Sequence, residues 1–189
     1  MSSRSGDGFM RCSDGAVRWG VFGAAGVVFV HRSDEGPTVM LQRRSAFAHE
    51  GGTWSCAGGA LDEGESPLDG GLREASEEVG AVPAGWRLLG EVVFAPALDW
   101  SYTTSVVEVG ERFGASINFE TDDVAWIPVD QVASMDLHAG FAAAWPQIAG
   151  VGGGGGRGVT APSTSPQLRR VCPWRWRRRR RPSAGSCPR

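Results

Sequence analysis

Lysine is absent from the 189 residues, and every permanent side-chain cation is an arginine. With the heavy use of alanine and glycine, this is the compositional mark of a GC-rich coding sequence. Cysteine is scarce: Cys12, Cys56, Cys172 and Cys187 are far apart and form no C-x-x-C. That spacing speaks against a disulfide framework or a zinc site and agrees with a reducing compartment. His31, His49 and His138 are too scattered to propose a metal cluster. The longest nearly apolar run, Trp19 to Val30, is too short to cross a bilayer. Met1 to Asp14 is polar and glycine-rich, unlike a secretory leader. The expectation is a cytoplasmic protein with no membrane partner. No internal repeat is visible.

The formal net charge of −2 hides two opposite parts. Residues 1–149 hold nine arginines and all 21 acids, about −12, whereas ten arginines give the remainder about +10. Val151 to Gly158 is nearly all glycine, and Thr160 to Pro166 is rich in serine, threonine and proline. This is linker composition that cannot bury a core. Trp174-Arg175-Trp176 and the arginines up to Arg181 could hold nucleic acid by counterion release and stacking. The acidic part would repel a phosphate backbone, so nucleic acid is not the expected partner. The expected organisation is a flexible N-terminus over 1–18, one domain over 19–149, and a disordered linker and arginine-rich tail over 150–189. The sequence leaves the oligomeric state open.

Val21–His31 and Thr38–Arg43 read as strands joined by the turn residues Ser33-Asp34-Glu35-Gly36-Pro37. Residues 44–58 read as an approach loop. Trp86–Phe94, Tyr102–Val109 and Asp123–Ile127 read as further strands. Pro128 is expected to open a helix carrying Val129, Val132 and Met135, and Leu137–Ile148 a last helix interrupted at Pro146. Strands mixed with helices give an α/β class, a layered sandwich.

The centre of the chain is Gly59 to Ala81. Ser66 is a natural N-cap, Pro67 suits the first helical position, and Asp69 can complete a capping box. Leu68, Leu72, Ala75 and Val79 form one apolar stripe, and Gly80 ends the helix. Glu74, Glu77 and Glu78 crowd a different face, and Arg73 stands one turn from Glu77. Gly70 and Gly71 each cost a helix roughly 1 kcal/mol relative to alanine. A helix so poorly built for stability is expected to be held by something else. A hard divalent cation fits, because Mg²⁺ takes carboxylate oxygens, waters and phosphates. The alternative is a solvated acidic face.

Gly59, Glu65 and Arg73-Glu74-Ala75-Ser76-Glu77-Glu78-Val79-Gly80-Ala81, in this spacing, resemble the Nudix box position for position. Departures are few: alanine at 75 and 81, where the family usually carries bulkier aliphatics, and no proline before Gly58-Gly59. The resemblance implies the Nudix fold, a mixed β-sheet sandwiched between helices, over about 20–149. It also implies a pyrophosphohydrolase that cleaves a nucleoside diphosphate linked to another moiety, with Mg²⁺ as cofactor and Mn²⁺ as a possible substitute. Glu77 and Glu78 would be metal ligands, with the Gly59 carbonyl as a further one. Glu74 would join them or deprotonate the water, unless Glu120, Asp122 or Asp123 serves as the base. Glu65 and Arg73 would be a structural pair.

Arg44, Trp54 and Trp100 are candidate substrate contacts, since guanidinium suits phosphate and an indole can stack on a base. For each, solvation or packing is the alternative, as it is for His49 and Tyr102. The substrate, a small-molecule nucleotide, ranges over nucleoside triphosphates including oxidised ones, ADP-ribose and other nucleotide sugars, and dinucleoside polyphosphates. The compact domain favours a triphosphate. A non-catalytic nucleotide-sensing domain is the alternative function, and retention of every box glutamate speaks against it. Removing residues 150–189 is expected to leave hydrolysis unchanged, measured as phosphate release from a nucleotide panel.

Overall fold

A computed structural model describes residues 4–46, 50–115 and 121–153. In chain order the elements are β1 (Phe9–Arg11), β2 (Val17–Trp19), β3 (Ala24–Ser33), β4 (Gly36–Arg44), β5 (Trp54–Ser55), β6 (Ala57–Ala60), α1 (Pro67–Glu78), β7 (Arg87–Ala97), β8 (Trp100–Val109), β9 (Thr121–Pro128), a 3₁₀ turn (Val132–Ser134) and α2 (Ala139–Gly153). Strands β3 to β9 form one mixed sheet, in which β3 and β8 run parallel and the other pairs run antiparallel.

The alternation of side chains along β3 assigns the two faces. Val28 and Val30 join Val39, Leu41, Trp145 and Ile148 in the core beneath α2. Val27 and Phe29 join Met40, Ala75 and Val79 beneath α1. The α1 stripe anticipated from spacing is the stripe observed, with Leu68 and Leu72 at its margin. Fully burying residues such as Phe29 or Leu41 contributes about 1.5–3 kcal/mol each.

The β3–β4 hairpin splits. Val30 to Ser33 pair with β4, but Ala24 to Val27 pair with β6, while Gln42 and Arg43 pair with β5. β5 and β6 therefore fill a fork between diverging strands. This corrects the reading of 44–58 as loop alone. The fork matters because it carries the glycine pair Gly58-Gly59 beneath α1.

Gly70 and Gly71 have a packing explanation. Both are buried in α1, and a Cβ on Gly71 would stand 3.2 Å from the Gly26 backbone of β3. Their cost in helix propensity is offset by a close helix–sheet approach, with no cation needed to explain them. Ser66 caps α1 by accepting from the Asp69 N–H, 3.2 Å. Its hydroxyl then donates to the Asp69 carboxylate at 2.6 Å, so the reciprocal arm of the capping box is not made.

Three expectations are overturned. The N-terminus is not loose between residues 4 and 19: β1 and β2 form an antiparallel ribbon docked on the main body. Ser13 exchanges bonds with Asp99 and Leu98, and the Trp100 indole N–H donates to the Trp19 carbonyl. The helix expected after Pro128 is only the 3₁₀ turn, since Val129 is drawn back by a bond to the Pro37 carbonyl. Pro146 does not interrupt α2. It lies on the exposed side with Ala142, whose carbonyl loses its helical donor where water can replace it.

Helix α2 also runs past the expected boundary at 149. A Cβ on Gly90 of β7 would meet the Val151 side chain at 3.0 Å, and the Arg32 guanidinium donates to the Gly152 carbonyl at 2.5 Å. Residues 154–189 lie outside the described residues. A chain ended after Gly153 should keep the full-length melting temperature, whereas one ended after Ala149 should melt several degrees lower by calorimetry, about 2–4 °C per kcal/mol lost.

Candidate active site

Arg73 is the hub of the box. Its guanidinium donates to both Glu65 oxygens at 2.9 Å, to the Ala60 carbonyl at 3.0 Å and to Glu74 Oε1 at 2.8 Å. Glu65 in turn accepts from the Asp62 N–H, 3.0 Å, which closes the loop between β6 and α1. The Arg73 bond holds the Glu65 carboxyl below the usual carboxylate range and raises the arginine further.

Glu74 is oppositely affected. Burial raises its carboxyl, Arg73 partly offsets this, and the charges of Glu77 and Asp7 add to the rise. Its carboxylate lies against the backbone of Gly59: a Cβ there would stand 2.5 Å from the carboxyl carbon. Glu78, only 6% exposed, reaches into the fork. One of its oxygens accepts from Gln42 at 2.8 Å and from the Gly58 N–H at 3.0 Å. Thr121 of β9 extends this chain by donating to Gln42 at 2.6 Å. Glu77 points outward, 61% exposed, 3.7 Å from Arg73.

The three glutamates therefore do not crowd one face, as their spacing suggested. Two flank the glycine strand, and the third faces solvent. Among the described residues no three of His, Cys, Asp and Glu lie close enough to hold an ion unaided. The donor set still suits a hard cation: it is all oxygen, and the side-chain-free strand at Gly59 lies against a carboxylate. Mg²⁺ ordinarily completes its shell with waters and substrate phosphates.

The other expected residues divide. Arg44 lies at the end of β4, and its charge acts on the Cys56–Tyr102 pair beneath the glycine strand. Cys56 Sγ and the Tyr102 hydroxyl are 3.8 Å apart. Burial pushes the thiol up to about 11 and the phenol well above its ordinary value, so both stay protonated at neutral pH. Trp54 is half-buried against the α2-side core, its backbone bonded to Asp136 and His138. Trp100 is corrected: it is 6% exposed, packed with Cys12 and Ala24, with the Arg18 guanidinium 5.3 Å from its ring. It has no face to offer a base.

Asp122 accepts from the Ala46 N–H and Asp123 from the Val124 N–H. Glu120 and His49 lie outside the described residues. Gln42, Thr121 and Asp7 went unnoticed in the sequence. Gln42 alone left a signal, as a polar residue following Val39-Met40-Leu41 in an otherwise apolar strand. Two surface depressions, one bordered by His31 and Arg112 and the other by Asp14 and Leu98, include no box residue.

A glycine strand under a helix whose glutamates border it, locked by an Arg–Glu pair, is the architecture of a Nudix domain. The NUDIX domain family model matches residues 22–147. The chain belongs to that family and is a Nudix-type pyrophosphohydrolase. It is 36% identical over 170 residues to a Mycobacterium tuberculosis protein named "Putative 8-oxo-dGTP diphosphatase 3", covering 87% of this chain and 74% of that protein. It is 34% identical over 152 residues to a Bifidobacterium longum nucleoside triphosphate pyrophosphatase/Nudix hydrolase fusion protein, covering 76% of this chain and 31% of the fusion. The crystal structure of RenU, a Nudix hydrolase from M. smegmatis, superposes with a TM-score of 0.70 at 35% identity, covering 77% of this chain and 94% of RenU.

Glu65→Gln should destabilise the fold at pH 7 by about 1–2 kcal/mol, discounted because Arg73 is nearly one-third exposed. A depressed carboxyl stabilises above its unfolded pKa, about 4.3. The difference between variant and wild type should therefore vanish as pH falls through the lower folded value. Urea unfolding at a series of pH values measures it.

Proposed function

We propose that the chain hydrolyses a phosphoanhydride bond of a nucleoside triphosphate, with an oxidised purine deoxynucleotide as the first substrate to test. The mycobacterial relative's name supports that substrate class, and the compact domain agrees with it. The observation that carries the site reading is Glu74 lying on Gly59 while Glu78 binds the adjacent Gly58. Two carboxylates thus border a strand that carries no side chain at Gly58 or Gly59.

Glu77, Glu78 and the Gly59 carbonyl would hold Mg²⁺, with Mn²⁺ as a substitute. When bound, the cation offsets the phosphate charge that otherwise repels a nucleophile. Glu74 takes the proton of the attacking water. Its carboxyl is raised by burial, which brings it closer to the operating pH than an ordinary glutamate. Arg73 keeps Glu74 oriented, and Glu65 keeps Arg73 in place. Gln42, anchored by Thr121, fixes the direction in which Glu78 points. Arg44 lies beside this region and is the candidate phosphate contact; Trp54 at most borders it.

Glu77 is exposed, so Glu77→Gln should fold normally and test the chemistry alone. With Mg²⁺ and 8-oxo-dGTP, dGTP, ADP-ribose and a dinucleoside polyphosphate as the panel, the wild type should release pyrophosphate from a triphosphate. The variant should lose kcat by on the order of 10² or more. Equal turnover by variant and wild type would overturn the residue assignment, and preference for ADP-ribose would overturn the substrate.

A further inference from the structure

Residues 4–8 precede the segment matched by the family model, yet they are laced onto the loop between β6 and α1. The Gly6 N–H donates to Asp62 Oδ1 at 3.2 Å, and the Glu63 N–H donates to the Arg4 carbonyl at 3.0 Å. The Arg4 guanidinium stands 3.7 Å from the Glu63 carboxylate and lies over the Phe22 ring. The main body holds the other edge of this strap: Val21 N–H donates to the Gly6 carbonyl at 2.9 Å and Gly20 N–H to the Gly8 carbonyl at 2.8 Å. Glu63 and Gly64, at the tip of the loop, are exposed, so the loop takes its position from contacts along its edges.

Direct hydrogen bonds lead from the strap to Glu74. Asp62 accepts from Gly6 through its side chain, donates its own N–H to Glu65 Oε2 at 3.0 Å and accepts from the Glu65 N–H at 3.0 Å. Glu65 Oε2 thus has Asp62 on the loop side and Arg73 on the helix side. The Arg73 guanidinium is planar and rigid. Its Nε and one terminal nitrogen hold Glu65, and the other terminal nitrogen holds Glu74. A shift of Glu65 therefore turns the plane and moves the donor that Glu74 accepts from.

We propose that the strap is a positioning element of the hydrolysis, in which Gly6, acting through Asp62, sets where Arg73 holds the Glu74 carboxylate. This rests on the reading of Glu74 as the acceptor of the water's proton. Gly6 makes the contact possible, since a Cβ there would run into the Leu61 carbonyl oxygen. Its φ lies outside the left-handed region, so Gly6→Ala is a steric probe and leaves the backbone unstrained. The added methyl group pushes strap and loop apart while every box residue is retained. The strap acts on the orientation of Glu74 without touching the nucleotide, so its effect falls on kcat and not on KM.

Two measurements on the full chain test this. Without nucleotide, nuclear magnetic resonance reads the exchange with water of the Arg73 Nε–H, which Glu65 protects. Gly6→Ala should speed that exchange by roughly fivefold, as loss of one hydrogen bond along the series would. With 8-oxo-dGTP and Mg²⁺, well below the melting temperature, Gly6→Ala should lower kcat by roughly tenfold and leave KM within about twofold. Asp62→Ala should lose as much, whereas Asp62→Asn keeps the accepting oxygen and should stay within about twofold of wild type. Unchanged Arg73 exchange in Gly6→Ala, or Asp62→Asn as impaired as Asp62→Ala, would overturn the role of the strap. Unchanged kcat in Gly6→Ala, while Glu74→Gln loses turnover, also overturns it and leaves the site reading standing. If Glu74→Gln and wild type turn over equally, the Glu74 reading falls and this inference with it.

Discussion

The structure depends on how closely α1 approaches the strands beneath it. Gly71 rests on the backbone of Gly26, and the Glu74 carboxylate rests on Gly59. A Cβ on Gly71 would press on the Gly26 backbone at 3.2 Å, and one on Gly59 would displace the Glu74 carboxylate from β6. Poor helix propensity at Gly70 and Gly71 is tolerated because the apolar stripe of α1 buries Ala75 and Val79 against Val27 and Phe29. Burial holds the helix, and the glycines set the distance. The seat of the Glu74 carboxylate on Gly59 is a consequence of that distance.

Electrostatics within this frame runs in opposite directions over a short stretch. Arg73 stabilises the charged form of Glu65, whereas burial works against the charged form of Glu74. One carboxylate thereby becomes a fixed anchor, and its neighbour becomes a group that favours a proton or a nearby cation. Glu78 differs from both, being buried but satisfied by Gln42 and Gly58 in the fork between β3 and β4. A box of similar-looking acids therefore contains an anchor, a carboxylate whose charged form burial disfavours, and a group that ties the helix to the sheet. The same arginine holds both Glu65 and Glu74.

Much of this was legible beforehand. The box spacing pointed to the family, the Ser66-Pro67 start marked the helix, and the four-three-four stripe identified its buried face, because each depends on residues close in sequence. The hairpin residues Ser33 to Pro37 likewise located β3 and β4, though not the fork that opens between them. Trp100 misled, because an indole at a loop–strand junction looks the same whether it faces a ligand or an N-terminal ribbon packed over it. Pro146 misled for a related reason: its effect on a helix depends on whether the freed carbonyl meets water or core.

Local chemistry in the sequence determined the class of protein, the cap and stripe of α1, and the pairing of Glu65 with Arg73 one loop away. Only the tertiary structure decided that two of the three glutamates flank β6 while the third faces solvent, and that Gln42 and Thr121 anchor one of them. Those outcomes follow from where β6 enters the forked hairpin and how β9 lies along β4. Both are contacts between segments distant in the chain, and a pattern of adjacent residues carries no record of the direction in which a side chain meets a neighbour folded in from elsewhere.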